Sequence, residues 1–585
     1  MAKPAKPGFI KYKQPDGTTI QIMRHGDERA SWTTDSRGQV IRREADGFFR
    51  EVRGMTPERA ARVASVRRRA LQEMQKSVPA PSRAPIAFGQ KHFLVILVEF
   101  SDLAFTIEEP QQSISDMLNQ NGYSQHGATG SARDYYYDNS HGQFEPVFDV
   151  VGPVKLEKDK AYYGHDEGEN IDLNAAEAIR DACILADDEV DFSNYDLDKD
   201  GYVDLVYVVY AGFGEADSAD DDAIWPHQWY LTSAGISLDQ DGKNIDRYAC
   251  GSELMGDGNM DSIGTICHEF GHCIGLPDFY DADYEDNGMA AGLFYYSLMC
   301  SGSYVNNGWT PPYLNLVERI LLGWVDDSVL REFPGYGSYT LTSVDDNLGY
   351  KTLTDMEGEY FVYECRDTHG WDRYVPSPGL LIYHVDQSKR MVSIKDGNIT
   401  RDVEAGYLWE QWDIYNAVNE NGNHPCFYIV PSADQSNLMF GYEYYEGYGY
   451  YYNRANDPYI PFPGKKKVTS FVPMSWNGVM GELSLTEITY SGGKSSFRVQ
   501  GMEPNILDYP VINNPGKGSY TAGDKLALEL NLPEGYKAGN VRWFLDGTQV
   551  SGSTINLTRG AHVIEAEVTR QAGEKDIITL EIAVK

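Results

Sequence analysis

Cys267-His268-Glu269-Phe270-Gly271-His272-Cys273-Ile274-Gly275-Leu276-Pro277-Asp278 is the stretch around which the rest of the chain arranges itself. Two histidines four residues apart share one face of a helix, so both imidazoles can reach a single ion at ~2.0–2.1 Å. Glu269 follows His268 by one position, which sets its carboxylate beside such an ion rather than on it. There it can take a proton from water and later return it to a leaving amine, while zinc lowers the water's pKa toward ~7 and polarises a carbonyl. Gly275 allows the helix to end in the left-handed conformation and turn back. Asp278 then stands where a HExxHxxGxxH-type pattern carries its third ligand, with Asp in place of the commoner His. Ser262 is the expected N-cap. Downstream, Ser297-Leu298-Met299-Cys300-Ser301-Gly302 supplies a methionine turn beneath the metal, with Met299 at its centre. Cys267 and Cys273 are soft donors, but each lies ~100° around the helix from its neighbouring histidine. They read as small buried apolar residues.

Outward from this helix the chain divides into four regions. Residues 89–325 alternate strands and helices: an apolar strand His92–Phe100, a helix Asp172–Ala186, a strand Asp204–Tyr210, a candidate edge strand Asn244–Cys250, and helices over 262–274 and 312–322. This is an α/β domain. Residues 326–503 lose helical periodicity and show short alternating strands, which predicts a β-rich accessory domain. Residues 504–585 open on a Pro-rich linker. Turns at Gly523-Asp524, Asp546-Gly547 and Arg559-Gly560 then predict an immunoglobulin-like sandwich around Trp543. Residues 1–88 read as short strands, then a helix capped by Thr56 with Pro57 at its first position, then a linker with Pro79, Pro81 and Pro85.

The net charge of −37 makes nucleic acid an improbable partner, because phosphate binding needs clustered Lys and Arg. No apolar run approaches the ~18–20 residues of a membrane span. The opening Met-Ala-Lys-Pro-Ala-Lys-Pro has charge but no apolar stretch behind it, so an export signal, if there is one, is expected to have been removed. Seven cysteines, all between Cys183 and Cys426, do not form a disulfide framework. The charge is uneven: residues 1–88 hold 18 Lys+Arg against 9 Asp+Glu, and the remainder is strongly acidic. A basic head on an acidic body points to an intramolecular pro-region covering an acidic cleft, against a permanent N-terminal domain. The Pro-rich linker and the protease-labile run Arg67–Arg69 favour the first reading. The region lacks cysteine, which excludes a cysteine latch.

Asp196-Leu197-Asp198-Lys199-Asp200-Gly201-Tyr202-Val203-Asp204 matches the front of a calcium loop. Carboxylates alternate at Asp196, Asp198 and Asp200, Gly201 takes the tight turn, the Tyr202 carbonyl can ligate, and Asp204 closes the run. Tyr207 stands where an EF-hand needs Glu, so a calcium-bound strand entry is expected rather than an EF-hand. The acidic cluster Glu215, Asp217, Asp220, Asp221 and Asp222 reads as a solvated loop. Tyr442–Tyr452, with seven tyrosines, reads as a pair of aromatic strands.

His268–Tyr280, with Leu298–Gly302 and Leu322-Gly323-Trp324, resembles the immune inhibitor A family of secreted bacterial metallopeptidases. Asn194–Asp204, Ala211-Gly212, Ile224–His227 and Gly379–Asp386 extend the likeness over roughly residues 90–500. The resemblance implies a metzincin-like catalytic domain, export to the medium or cell surface, and endopeptidase activity on proteins and peptides. A third His is usual in metzincins, which leaves Asp281 as the rival of Asp278. The competing class is a surface-binding protein that keeps the fold with little hydrolysis. An intact Glu269 argues against it, because a binding module has no use for the base. A zinc hydrolase of glycans or small amides is the third alternative.

Overall fold

The structure is a computed structural model that describes residues 3–27, 30–44, 46–56, 59–60, 86–166, 172–282, 290, 292–396, 399–404, 418–422, 424–433, 442–445, 449–452, 459–501, 511–514, 520–532, 536–570 and 575–584. The expected helix after Thr56, the Arg67–Arg69 run and most of both Pro-rich linkers lie outside the described residues.

Five strands, β1 (Ile10–Lys13), β2 (Thr19–Asp27), β3 (Ala30–Asp35), β4 (Val40–Arg43) and β5 (Phe49–Glu51), form an antiparallel meander at the N-terminus. Its core is small, built on Ile22, Ile41 and Phe49. A sheet with so little apolar burial needs further support, and the acidic surface of the next domain supplies it.

The α/β region that follows is built on β6 (Gly89–Glu99), β7 (Phe144–Lys155), β8 (Tyr202–Val203), β9 (Val206–Phe213), β10 (His227–Tyr230), β11 (Leu238–Gln240), β12 (Lys243–Ile245) and β13 (Arg247–Leu254). Its main sheet has the order β10-β13-β9-β6-β7, with β10 antiparallel and the other four parallel. The helices are α1 (Pro110–Asn119), α2 (Ala132–Asn139), α3 (Lys160–Tyr163), α4 (Ala175–Ala186), α5 (Ile263–Cys273) and α6 (Leu316–Leu321). Alternation along β6 explains its unbroken apolar run. Phe93, Val95 and Leu97 join the core that holds α1, α2 and α5, while Leu94, Ile96 and Val98 join the core under α4. Both faces of a parallel sheet are covered, so both faces are apolar.

The expected edge strand Asn244–Cys250 is corrected here. Residues 243–245 belong to a small separate sheet, and β13 lies inside the main sheet between β9 and β10. The edge on this side is β10, whose polar His227 and Gln228 concealed it from a hydrophobicity-based reading. The helix expected over 312–322 is shorter, because Pro311 and Pro312 keep the chain extended until Asn315 caps α6.

Residues on both sides of position 325 share one core. Val362, Trp371, Leu381, Tyr383 and Phe427 pack with Tyr135, Phe270, Phe279 and Leu298. The sheet responsible runs Leu330–Glu332, Gly349–Leu353, Glu359–Arg366, Gly379–Asp386 and Phe427–Ile429. Its buried Arg366 donates to the carbonyls of Tyr313 (2.7 Å) and Tyr296 (3.3 Å), tying the segment before α6 to the sheet. The C-terminal region has a core of its own. It contains a four-stranded antiparallel sheet ordered Thr548–Val550, Ala538–Leu545, Gly560–Arg570 and Lys575–Val584, with Trp543 partly buried against that core. The tyrosine-rich segment pairs Tyr442–Tyr445 with Gly449–Tyr452 as an antiparallel hairpin. No helix among the described residues is long and apolar enough to cross a membrane.

Candidate active site

All of α5 is buried. Phe270 fixes it to the sheet through an edge-on contact with Phe93, centroids 4.8 Å apart, and the Tyr136 hydroxyl donates to the Cys267 carbonyl at 2.5 Å. Ser262 occupies the N-cap position, but its side chain makes no cap hydrogen bond. Gly271 is required by a close approach: a Cβ there would lie 2.9 Å from Met299 Sδ. The methionine of the 297–302 turn therefore sits directly against the motif helix.

His268 and His272 bring their Nε2 atoms to 3.2 Å of one another. The Nδ1 of His268 donates to the Leu298 carbonyl at 2.9 Å, and that of His272 to the Leu276 carbonyl at 2.8 Å. A carbonyl only accepts, so each Nδ1 carries the proton and each Nε2 turns a lone pair inward. Asp278 Oδ1 lies 3.3 Å from both Nε2 atoms. Donors ~2.0–2.1 Å from a tetrahedral ion are separated by ~3.3 Å, so this triangle fits one face of a zinc site. Burial pushes the His272 imidazole below its ordinary pKa, in keeping with a neutral donor. Burial opposes a charge on Asp278, yet the histidines beside it hold its carboxyl well below the usual carboxylate range.

Gly275 takes φ +111°, and Leu276 N–H returns to the Gly271 carbonyl at 3.0 Å, which turns the chain back after α5. Phe279 N–H then donates to the Met299 carbonyl at 2.8 Å, and Asn419, from the β-rich region, donates to the Phe279 carbonyl at 3.0 Å. Two partners distant in sequence thus hold the residue next to Asp278. Asp281 accepts from Ala290 N–H at 2.6 Å and is outside the His268–His272–Asp278 group. Cys267, Cys273 and Cys300 are buried and also outside it.

Glu269 is fully buried, and its Oε1 accepts the Lys3 N–H at 2.8 Å. The irregular segment leading into β1 thus lies against the site. Trp225 Nε1 donates to the Lys3 carbonyl at 3.0 Å, the Tyr304 hydroxyl to the Pro4 carbonyl at 2.7 Å, and Lys6 N–H to the Ala216 carbonyl at 2.9 Å. Sequence reasoning missed Lys3, Trp225 and Tyr304 as parts of one site. The charge reversal between the head and the body was the one signal of it. The acidic cluster is corrected accordingly, because it is not a solvated loop. Arg24 bonds Glu215 at 3.1 Å and pairs with Asp221, Arg43 approaches Asp220 and Asp222, and Lys6 lies 3.9 Å from Asp217.

Asp196, Asp198 and Asp204 bring carboxylate oxygens within 4.8 Å of one another. Lys243 Nζ stands 2.6 Å from Asp196 Oδ2. Asp200 turns aside, its Oδ1 accepting from Tyr202 N–H at 2.8 Å. Tyr202 begins β8, and Gly201 takes φ +97°. Burial raises the Asp204 carboxyl to about 6.

A helix presenting two lone-pair histidines, a third carboxylate donor and an adjacent glutamate is the equipment of a metallopeptidase. The comparisons agree. Residues 88–312 match the family described as immune inhibitor A peptidase M6, catalytic domain. Over these residues the chain is similar to the catalytic domain of the immune inhibitor A peptidases. It is 28% identical over 268 residues to the pre-pro-metalloprotease PrtV of Vibrio cholerae serotype O1, covering 38% of this chain and 29% of that protein. It is 25% identical over 259 residues to immune inhibitor A of Bacillus thuringiensis subsp. alesti, covering 37% of each. The chain therefore spans about a third of the length of these relatives. Among solved structures, wild-type OgpA from Akkermansia muciniphila aligns at 13% identity and a TM-score of 0.21, over 56% of this chain and 94% of that one. A likeness that weak carries no argument.

Proposed function

We propose that the protein is a secreted, zinc-dependent endopeptidase that hydrolyses peptide bonds of extracellular proteins, with Glu269 as its general base. The observation that carries this reading is the near-equilateral triangle of His268 Nε2, His272 Nε2 and Asp278 Oδ1, with both histidine tautomers locked by backbone carbonyls. Zinc held there supplies Lewis acidity toward a scissile carbonyl and toward water. Glu269, next to His268 on the helix and deeply buried, takes the proton from the attacking water and hands it to the departing amine. Met299 holds the floor, and Gly275 turns Asp278 into place.

On this reading residues 1–88 are a pro-region, 89–325 the metzincin-like catalytic domain, 326–503 an accessory domain and 504–585 an immunoglobulin-like sandwich. The Lys3 N–H on Glu269 Oε1 supports latency, because the chain segment that carries it lies against the carboxylate where a substrate would have to bind. Asp196, Asp198 and Asp204 would hold calcium, and Asp200 and the Tyr202 carbonyl are the further candidate ligands; the ion would tie the entry of β9 to the loop before it. The ion would replace Lys243 beside Asp196.

The test is casein hydrolysis by the zinc-loaded protein and by Glu269→Ala, each after limited trypsin treatment to release the N-terminal region. Activity in the parent that vanishes in the variant and on chelation is the expected result. Removing a general base costs ~10²–10⁴-fold. If neither protein cleaves although both retain one zinc, the surface-binding alternative takes its place.

A further inference from the structure

The N-terminal segment also lays a side chain into a pocket beside the candidate metal site. Lys3 is only 3% exposed, which is rare for an ammonium unless its surroundings are built for a cation. Its Nζ donates to Thr265 Oγ1 at 2.7 Å, and that hydroxyl donates onward to Asp261 Oδ1 at 3.1 Å. The same ammonium lies 4.3 Å from the Tyr304 ring centroid, within cation–π range. Asp217 and Asp261 are both buried, and Asp217 also lies 3.9 Å from Lys6 Nζ. Burial raises the Asp217 carboxyl, and Lys3 is the strongest influence working against that rise.

The position of the main chain gives the pocket its meaning. The residue whose side chain fills it donates its own N–H to Glu269, the group that handles the proton, and its carbonyl accepts from Trp225. A substrate residue next to the scissile bond would be placed in the same way. Once the segment has left, the carboxylates, hydroxyl acceptor and aromatic face that it covered favour a cation in its place. A lysine side chain supplies it with a flexible apolar stem behind a compact charge.

We propose that Thr265, Asp261, Asp217 and Tyr304 form a specificity pocket that selects a basic side chain, lysine first, beside the scissile bond, and that Lys3 fills it in the latent chain. The role as a specificity pocket rests on the peptidase reading; the recognition of lysine does not.

The experiment uses the full-length, zinc-loaded chain carrying Lys3→Ala, with Lys3→Glu as the alternative should the first remain closed. Calorimetry with acetyl-Lys-Pro-Ala-Lys-Pro-Gly-amide is compared with the analogue whose first lysine is alanine. At least tenfold weaker binding of the analogue is expected, and equal binding overturns the proposal. Casein fragments from the same variants are then sequenced by mass spectrometry. Lysine is expected at one fixed position relative to the cut, and Asp217→Asn or Thr265→Val should erase that preference at least tenfold. Cleavage without a basic residue at a fixed position overturns the proposal and leaves the peptidase reading standing. Lysine-dependent binding with no cleavage upholds the recognition of lysine and overturns the peptidase reading.

Discussion

Arg24→Met removes the cation that fastens the N-terminal sheet to the acidic cluster. Arg24 is 5% exposed, and its guanidinium bonds Glu215 at 3.1 Å, the Ser218 carbonyl at 3.0 Å and the Thr33 hydroxyl at 3.1 Å, besides pairing with Asp221. Burial works against its charge, and Asp221 and Glu215 outweigh that and keep the guanidinium protonated. Methionine keeps most of the apolar stem but leaves Glu215, 1% exposed, facing a neutral side chain. Breaking one side of a buried pair costs ~3–5 kcal/mol. At about 1.4 kcal/mol per tenfold, the fraction of molecules with the N-terminal sheet released rises roughly a hundred- to several-thousand-fold. Two measurements follow on the full-length protein without trypsin: hydrogen exchange over 19–27 and 212–218, and the initial rate of casein hydrolysis. Both should rise. If exchange over 19–27 stays at the parent's level and the rate does not change, Arg24 does not hold the sheet, and latency does not depend on this contact.

Three further outcomes are expected. Asp278→Ala should lose zinc in chelator competition by more than the ~10–100-fold typical of a group that only supports a ligand, whereas Asp281→Ala should retain it. Millimolar calcium should raise the thermal midpoint of the parent but not of Asp196→Asn with Asp198→Asn, since a ligand at 100 times its Kd adds about 2.7 kcal/mol. Burial raises the Glu318 carboxyl from 4.5 to about 7, so between those values the folded chain binds the proton that the unfolded chain has released. Stability from this group is therefore present at low pH and lost as pH climbs toward 7. In Glu318→Gln the fall of the thermal midpoint between pH 5 and 7 should be shallower, and an identical slope would show that Glu318 is not its source.

The candidate metal-binding group His268, His272 and Asp278 could be read in the chain because its geometry is local. A spacing of four puts His268 and His272 on one helical face wherever that helix sits, and Gly275 permits the turn that brings Asp278 round within six residues of His272. Spacing left Asp278 and Asp281 both open. The approach of Asp278 to the two histidines depends on Phe279 being pinned by Met299 and Asn419, which lie 20 and 140 residues further on. The edge strand was misplaced because β10 is short and carries a polar residue on each face, and strand order depends on pairings that no local pattern encodes.

Charge composition alone signalled that the basic head has an acidic partner, since electrostatic demand can be counted along a chain. Only the tertiary structure decided that Arg24 meets Glu215, that Lys3 N–H meets Glu269, and that the lysine's own side chain reaches Thr265, 262 residues away. The same holds for the core shared across position 325, where Phe279 and Phe427 stack edge-on at 5.0 Å. Helical periodicity acts over a few residues and is written in the order of the chain. Contacts between segments hundreds of residues apart arise from the competition among all buried surfaces, and only the folded molecule resolves it.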